Sequence, residues 1–201
     1  MRALVWIGVI LAGVIVVSGV VAAIGNGRDN TGQTVRSSRW ADDVCGTTGA
    51  WEGELESIRD EMRKSNYAAR QNDGGSGDSV EETIFVREAV DRAIRATTDT
   101  LQKGLKRAGQ PDANQGAQAS ATLLTWANRT EGNLRVAKAL LKEKPRSPAE
   151  AFGNLVPPAT ALAQSALQGR AAYKRVAALD PALADALNGS RNCRDLQKEA
   201  P

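Results

Sequence analysis

Histidine is absent from the 201-residue chain, and this absence removes several kinds of catalytic and metal-binding site. Nucleophiles activated by a histidine base, zinc sites with imidazole ligands and the Glu-x-x-His pairs of di-iron bundles all need this residue. Cysteine is scarce too: only Cys45 and Cys193 are present, so no Cys-x-x-Cys site can form. We therefore expect no catalytic residue, no cofactor, no metal site and no enzymatic activity.

Carboxylates are the metal-ligand type that the chain does contain. Glu52, Glu56 and Asp60 share one face of a predicted helix and could hold a cation such as Ca²⁺. Basic residues, among them Arg59 and Lys64, interleave with them along the chain. This mixture favours a solvated charged face over a cation site.

Aromatic residues make up only 4% of the chain, and the formal net charge is only +3. Alanine and leucine are abundant, and both rank among the best helix formers. So small a net charge gives no field that would gather a polyanion of the size of DNA or RNA. The composition thus favours an all-α protein and argues against nucleic acid as a partner.

The first 25 residues are almost entirely apolar, with Arg2 as their single charged side chain. About 22 apolar residues at 1.5 Å each span about 33 Å, which matches the hydrocarbon core of a bilayer. Residues 1–25 are therefore predicted to be a transmembrane signal-anchor that contacts the membrane through residues 3–24. The alternative is a signal peptide that is cleaved after Ala23, which would release a secreted protein.

Residues 26–39 are polar without an apolar period and are predicted to be a flexible tether. Helical periodicity then begins and continues through a predicted domain over residues 40–199. The apolar stripe of its first helix comprises Trp40, Val44, Trp51, Leu55, Ile58 and Met62. The glycine-rich run at 72–79 ends this helix, and it separates the first helix from the second.

Each later helix is also predicted from an apolar stripe. The second contains Val86, Val90, Ile94, Thr97, Leu101 and Leu105, and it ends at Gly109. The third runs from about residue 117 to 144 with Leu123, Thr130, Leu134, Ala137 and Leu141. The fourth has a heptad pattern of Phe152, Leu155, Ala159, Leu162, Ala166, Gly169, Tyr173 and Val176, with a kink or restart near Asn154 caused by two prolines. Asp180 caps a short final helix that ends at Asn188-Gly189.

The pattern as a whole predicts an antiparallel bundle of about four long helices plus a short C-terminal helix, after a single N-terminal transmembrane helix. In up-down-up-down order, the start of the first helix and the end of the fourth share one end of the bundle. Cys45 and Cys193 should therefore meet there in a disulfide. Disulfides need an oxidising compartment, so we expect the N-terminus inside the cell and the helical domain outside.

Four aromatic side chains, Trp51, Trp126, Phe152 and Tyr173, are candidates to line a cleft between helices for an apolar ligand. Aromatic residues at helical spacing are also typical of a packed core. The sequence leaves both interpretations open.

The stretch WADDVCGTTGAW, the heptad helix from Leu155 to Val176 and the stretch RNCRDL resemble a group of small actinobacterial proteins. These are anchored or secreted all-helical proteins of unknown function, with a Trp-x-x-x-Cys near the first helix and a late Cys before a Leu. Here Trp40 stands five residues before Cys45. The resemblance implies a fold and a location, and it transfers no site.

Two functions follow as expectations. The first is a membrane-tethered extracytoplasmic module of the bacterial cell envelope, binding or structural, whose partner is a cell-envelope protein. The second is a carrier or sensor of a small apolar ligand held in the cleft between helices.

Overall fold

A computed structural model describes residues 34–72, 79–141, 153–154 and 156–198. Almost all of these residues are helical, which confirms the all-α prediction. The helices are α1 (Ser37–Asn72), α2 (Ser79–Ala96), α3 (Lys103–Ala108), α4 (Gly116–Ala139), α5 (Val156–Ala177), α6 (Pro181–Gly189) and α7 (Arg191–Lys198). A π-helical stretch, Thr97–Gln102, joins α2 to α3 without leaving the right-handed helical region, so the three form one continuous rod.

Side-chain contacts along the helices show that the order is up-down-up-down. Thr47 of α1 lies against Gly104 of α3, whereas Glu61, further along α1, pairs with Arg92 of α2. α4 is antiparallel to the α2–α3 rod as well. Gln102 of the rod donates to Glu131 of α4, whereas Asp91, earlier in the rod, pairs with Lys138, later in α4. The hydroxyl of Tyr173, late in α5, donates a hydrogen bond to the carbonyl oxygen of Val44, near the start of α1. The predicted antiparallel bundle is confirmed.

The predicted apolar stripes of the first three helices are all buried or half-buried in the structure. They form two clusters along the bundle. The first lies around the cysteines and includes Trp51 and Trp126, and the second lies around Val90 and Leu134 at the other end. Because apolar burial stabilises a fold in proportion to the area removed from water, these stripes determine which faces meet.

The stripe predicted on the fourth helix is partly wrong. Ala159 and Ala166 are exposed, and the buried positions on α5 are Pro158, Ala161, Ser165, Gly169, Ala172 and Val176. The reason is the indole of Trp126 on α4, whose Nε1 donates to the carbonyl oxygen of Ser165 at 2.9 Å. Small residues on α5 let this ring lie flush against the helix backbone, so they form the interface.

Replacing Gly169 with alanine tests this interface. An added Cβ would lie 2.7 Å from Cζ2 and 2.9 Å from Cε2 of Trp126, so α4 and α5 would have to move apart. Gly132 on α4 is the matched control, because it is exposed and a Cβ there meets nothing within 4 Å. Both variants gain helix propensity, but only Gly169→Ala overpacks the core.

We expect Gly169→Ala to be less stable than Gly132→Ala by about 1–3 kcal/mol, the usual cost of overpacking. Denaturant unfolding of the two variants measures the difference. Equal stability in the two variants would mean that Trp126 does not pack against this glycine.

Several helix ends follow the predicted signals, but α4 ends at Ala139, about five residues before the predicted end near residue 144. Gly109 ends α3 with a φ of 71°, a conformation that favours glycine. Asp180 caps α6 by accepting a hydrogen bond from the N–H of Ala182 at 2.8 Å. α5 begins at Val156, with both prolines in its first turn, in agreement with the restart predicted near Asn154.

The helical domain begins earlier than predicted. Strand β1 (Thr34–Val35) pairs in parallel with strand β2 (Gln110–Pro111), and α1 starts at Ser37. Asp112 accepts hydrogen bonds from both the N–H and the Oγ of Ser37, each at 2.6 Å. Both hydrogen bonds hold the pKa of the Asp112 carboxyl below its ordinary value, and the bond from the Ser37 hydroxyl has the larger effect. Residues 34–39 therefore belong to the fold and not to a tether.

Two short helices, not one, follow α5. α6 ends as predicted at Gly189, but RNCRD then forms part of α7. Cys193 thus lies within a helix that packs on α1, whereas the sequence placed it in the segment after the last helix.

Within the part of the chain that the structure describes, no helix has the length and apolarity needed to cross a bilayer. The predicted transmembrane helix falls in residues 1–25, outside the described residues. The same holds for most of the predicted tether.

Candidate functional site

The two cysteines meet at the end of the bundle where the chain enters from β1. Cys45 on α1 and Cys193 on α7 form a disulfide with an S–S distance of 2.01 Å and a Cα–Cα distance of 5.0 Å. Both are almost fully buried, with 1% and 4% of their surface exposed. The predicted meeting of these residues is confirmed.

Polar contacts with Asp42 of α1 hold the start of α7 beside the disulfide. Ser190 Oγ donates to Asp42 Oδ1 at 2.6 Å, and Asn192 Nδ2 donates to the carbonyl oxygen of Asp42 at 3.0 Å. Arg194 Nη1 donates to the carbonyl of Gly189 at 3.0 Å, where α6 ends. The geometry of the cysteines therefore depends on several contacts besides the bond itself.

Three of the four candidate cleft residues come together between α1, α4 and α5. The rings of Trp51 and Trp126 lie edge to face with centroids 5.7 Å apart. Those of Trp126 and Tyr173 are 6.2 Å apart. Such edge-to-face packing is a favourable arrangement of aromatic rings in a core. Phe152, the fourth residue of the set, lies outside the described residues.

The polar atoms of these rings all find partners inside the protein. Trp51 Nε1 donates to Thr97 Oγ1 at 3.1 Å. The hydroxyl of Tyr173 lies 2.6 Å from Thr48 Oγ1 and 3.1 Å from the carbonyl oxygen of Val44. The three rings therefore fill the space between the helices and face one another, and this geometry favours a packed core.

Burial raises the pKa of the Tyr173 phenol well above its ordinary value. The nearby Glu52 carboxylate raises it further, while the hydrogen bond with Thr48 acts in the opposite direction. The phenol thus keeps its proton at neutral pH, and its hydroxyl serves as a fixed link between α5 and α1.

The carboxylates of the predicted charged face do not gather into a cation site. Glu56 pairs with Arg59 at 2.6 Å on the surface of α1. Among the described residues, no group of three or more His, Cys, Asp or Glu side chains is placed to hold a metal ion.

Two of the surface grooves formed by the described residues lie elsewhere on the bundle. The larger, of about 440 Å³, lies along α1 and α2, and its charged side chains include the Arg92–Glu61 pair. The smaller, of about 260 Å³, lies between α4 and α5. We call it the α4–α5 groove; it is lined by Gln118, Ala121, Thr122, Thr125, Trp126, Arg129, Gln168 and Arg175.

The sequence predictions missed all of the α4–α5 groove except Trp126. Four of its residues recur on α4 at helical spacing: Gln118, Thr122, Thr125 and Arg129. This polar stripe is visible in the sequence, but a polar stripe is also what any solvated helix face has. Only the packing of α5 beside it shows that the stripe borders a groove.

No protein family, curated protein or solved structure matches this chain. The fold and its cysteines define the protein as an up-down-up-down helical bundle whose first and last helices are joined by a disulfide.

Proposed function

We propose that the protein is a membrane-tethered, extracytoplasmic helical domain that serves as a binding or structural module of the bacterial cell envelope and is not an enzyme. The observation that carries this proposal is the buried disulfide between Cys45 and Cys193. Disulfides of this structural kind persist in secreted and extracytoplasmic proteins and are rare in the cytosol.

The position of the disulfide fits a tether at the N-terminus. β1 begins at Thr34, and α1 carries Cys45 within its first turns, so the cross-link lies at the end of the bundle that a tether would hold. In this proposal residues 3–24 cross the membrane with the N-terminus inside, and the opposite end of the bundle faces away from the bilayer. Cleavage after Ala23 would release the same domain as a secreted protein. The location agrees with that of the small actinobacterial proteins that the chain resembles.

Exposed apolar side chains support a binding role. Val136 and Leu140 stand four residues apart at the end of α4, with 61% and 62% of their surfaces exposed. Residues at this spacing lie on one face of a helix, and this face is at the end of the bundle remote from the disulfide. A cell-envelope protein is the partner that we propose for the module. No observation favours the apolar-ligand alternative, because the aromatic rings fill the space between their helices.

Reporter fusions after the last residue test the proposed topology. Alkaline phosphatase becomes active only in an oxidising compartment outside the cytosol. A fluorescent protein of the kind that folds only in the cytosol fluoresces only if the fusion stays inside the cell. We expect an active phosphatase and a dark fluorescent fusion, and we expect both results to reverse when residues 2–25 are deleted. A fluorescent fusion on the full chain, with inactive phosphatase, would contradict the proposal.

A further inference from the structure

The α4–α5 groove differs in its charge from the groove along α1 and α2. Arg129 and Arg175 line it, and no carboxylate does. Neither guanidinium has an ion pair within the described ranges, and Arg175 only donates from Nε to the carbonyl of Ala171 on its own helix. In the α1–α2 groove, by contrast, Arg92 is already neutralised by Glu61 at 2.6 Å. The charge of the α4–α5 groove is therefore complementary to an anion.

The two cations lie toward opposite ends of the groove. Gln118 and Arg129 are eleven residues apart on α4, which corresponds to about 16 Å at 1.5 Å per residue. Trp126 faces Ser165 and Gly169 across the interface. Because the helices are antiparallel, Arg175 lies toward the Gln118 end and away from Arg129. An elongated ligand with more than one negative charge fits this spacing better than a compact ion.

The middle of the groove is lined by hydroxyl and carboxamide groups, from Thr122, Thr125 and Gln168. The Oε1 atom of Gln168 is buried and has no hydrogen-bond partner in the described structure. Rotation of this side chain toward the groove would let a ligand satisfy that oxygen. A ligand hydroxyl suits this oxygen because it can donate a hydrogen bond to it.

We propose that the α4–α5 groove binds an anionic glycan, a polyhydroxylated chain with negative charges along its length, through Arg129 and Arg175. The charges can be carboxylates of uronic acids or phosphodiesters between polyol or sugar units, since guanidinium groups bind both. The proposal goes beyond the protein partner proposed above, because it assigns a second ligand to a different surface of the same module, and it rests on the binding role of that module. An acidic peptide fits less well, because the groove offers neither a sheet edge nor a deep apolar pocket for an anchoring side chain.

Calorimetric titration of the purified full-length protein in detergent tests the proposal. The probes are tetragalacturonate, a glycerol-phosphate oligomer, the neutral maltotetraose and a glutamate oligopeptide. We expect at least one of the two anionic probes to bind and the neutral sugar to bind at least tenfold more weakly, since it lacks the charge-assisted hydrogen bonds. The anionic probe that binds more tightly identifies the source of the charge. A glutamate oligopeptide that binds as tightly as the glycans would overturn the proposal.

Matched arginine variants locate the binding site. We expect Arg129→Gln/Arg175→Gln to weaken binding of the anionic probe by at least about tenfold, and Arg170→Gln to change it by less than about twofold. Arg170 is an exposed arginine on α5 that does not line the groove. All three side chains are on the surface, so folding should be unaffected, and thermal unfolding checks this.

Three further results would overturn the proposal: no binding of either anionic probe, equal weakening by the Arg170 variant, or tight binding of anionic lipid vesicles that depends on the same two arginines. The titration is independent of the reporter fusions. If the fusions place the domain outside and the titration shows no binding, the glycan proposal alone is wrong. If glycan binds but the fusions report a cytosolic domain, the proposed location is wrong.

Discussion

Replacing both cysteines, in Cys45→Ala/Cys193→Ala, should lower the free energy of unfolding by up to about 5 kcal/mol, which is the chain-entropy value for a loop of this size. The two residues are 148 positions apart, so the cross-link restricts most of the unfolded domain. Polar contacts of Ser190 and Asn192 with Asp42 remain in the variant. We therefore expect the folded structure to persist and the loss to arise mainly from the unfolded chain.

Guanidinium unfolding of the oxidised protein and of the double variant measures this loss. The dependence of the unfolding free energy on denaturant should also steepen in the variant, because its unfolded chain exposes more surface. The natural protein kept reduced by excess reductant is the control, and its stability should fall by a similar amount. A double variant within about 1 kcal/mol of the oxidised protein would contradict the chain-entropy argument.

Replacing Trp51 with alanine should cost about 3–5 kcal/mol, the usual range for removal of a large buried aromatic side chain. Trp51 is 1% exposed, and its ring contacts Trp126 edge to face. Its Nε1 also donates to Thr97, the first residue of the π-helical stretch. The alanine variant would lose packing among three helices as well as this hydrogen bond.

Phenylalanine variants separate the hydrogen bond from the packing. Trp40 is the matched control, because it is also fully buried on α1 but its Nε1 has no partner among the described residues. Trp51→Phe removes a hydrogen bond that is made, whereas Trp40→Phe removes a buried N–H that is unsatisfied. We expect Trp51→Phe to be the less stable of the two by about 1–3 kcal/mol. A larger loss in Trp40→Phe would mean that Trp51 is not held by Thr97.

The first three long helices and the meeting of the cysteines could be predicted because each follows from local patterns. The stripe from Trp40 to Met62 recurs at helical spacing, and the caps and glycines mark where the chain turns. Once four long helices alternate in direction, Cys45 and Cys193 must share an end of the bundle. No long-range information is needed for either step.

The register of α5 could not be predicted in the same way. The heptad pattern includes Gly169 and Val176, which are buried, but it also includes the exposed Ala159 and Ala166. It omits Ser165, which is buried because its backbone lies against Trp126 and not because of hydrophobicity. The parallel pairing of Thr34–Val35 with Gln110–Pro111 also escaped prediction, because two-residue strands have no periodicity to detect. The α4–α5 groove depends on which helices are neighbours, and a single-helix pattern does not contain that information.

The central claim, on which the proposed location outside the cytosol depends, is that Cys45 and Cys193 are covalently joined in the protein as cells make it. The most direct test is the intact mass of protein isolated from cells in the presence of a thiol-alkylating reagent, under denaturing conditions, with and without prior reduction. We predict no alkylation without reductant and two alkylated cysteines after it. Two alkylated cysteines in the unreduced sample would contradict the claim.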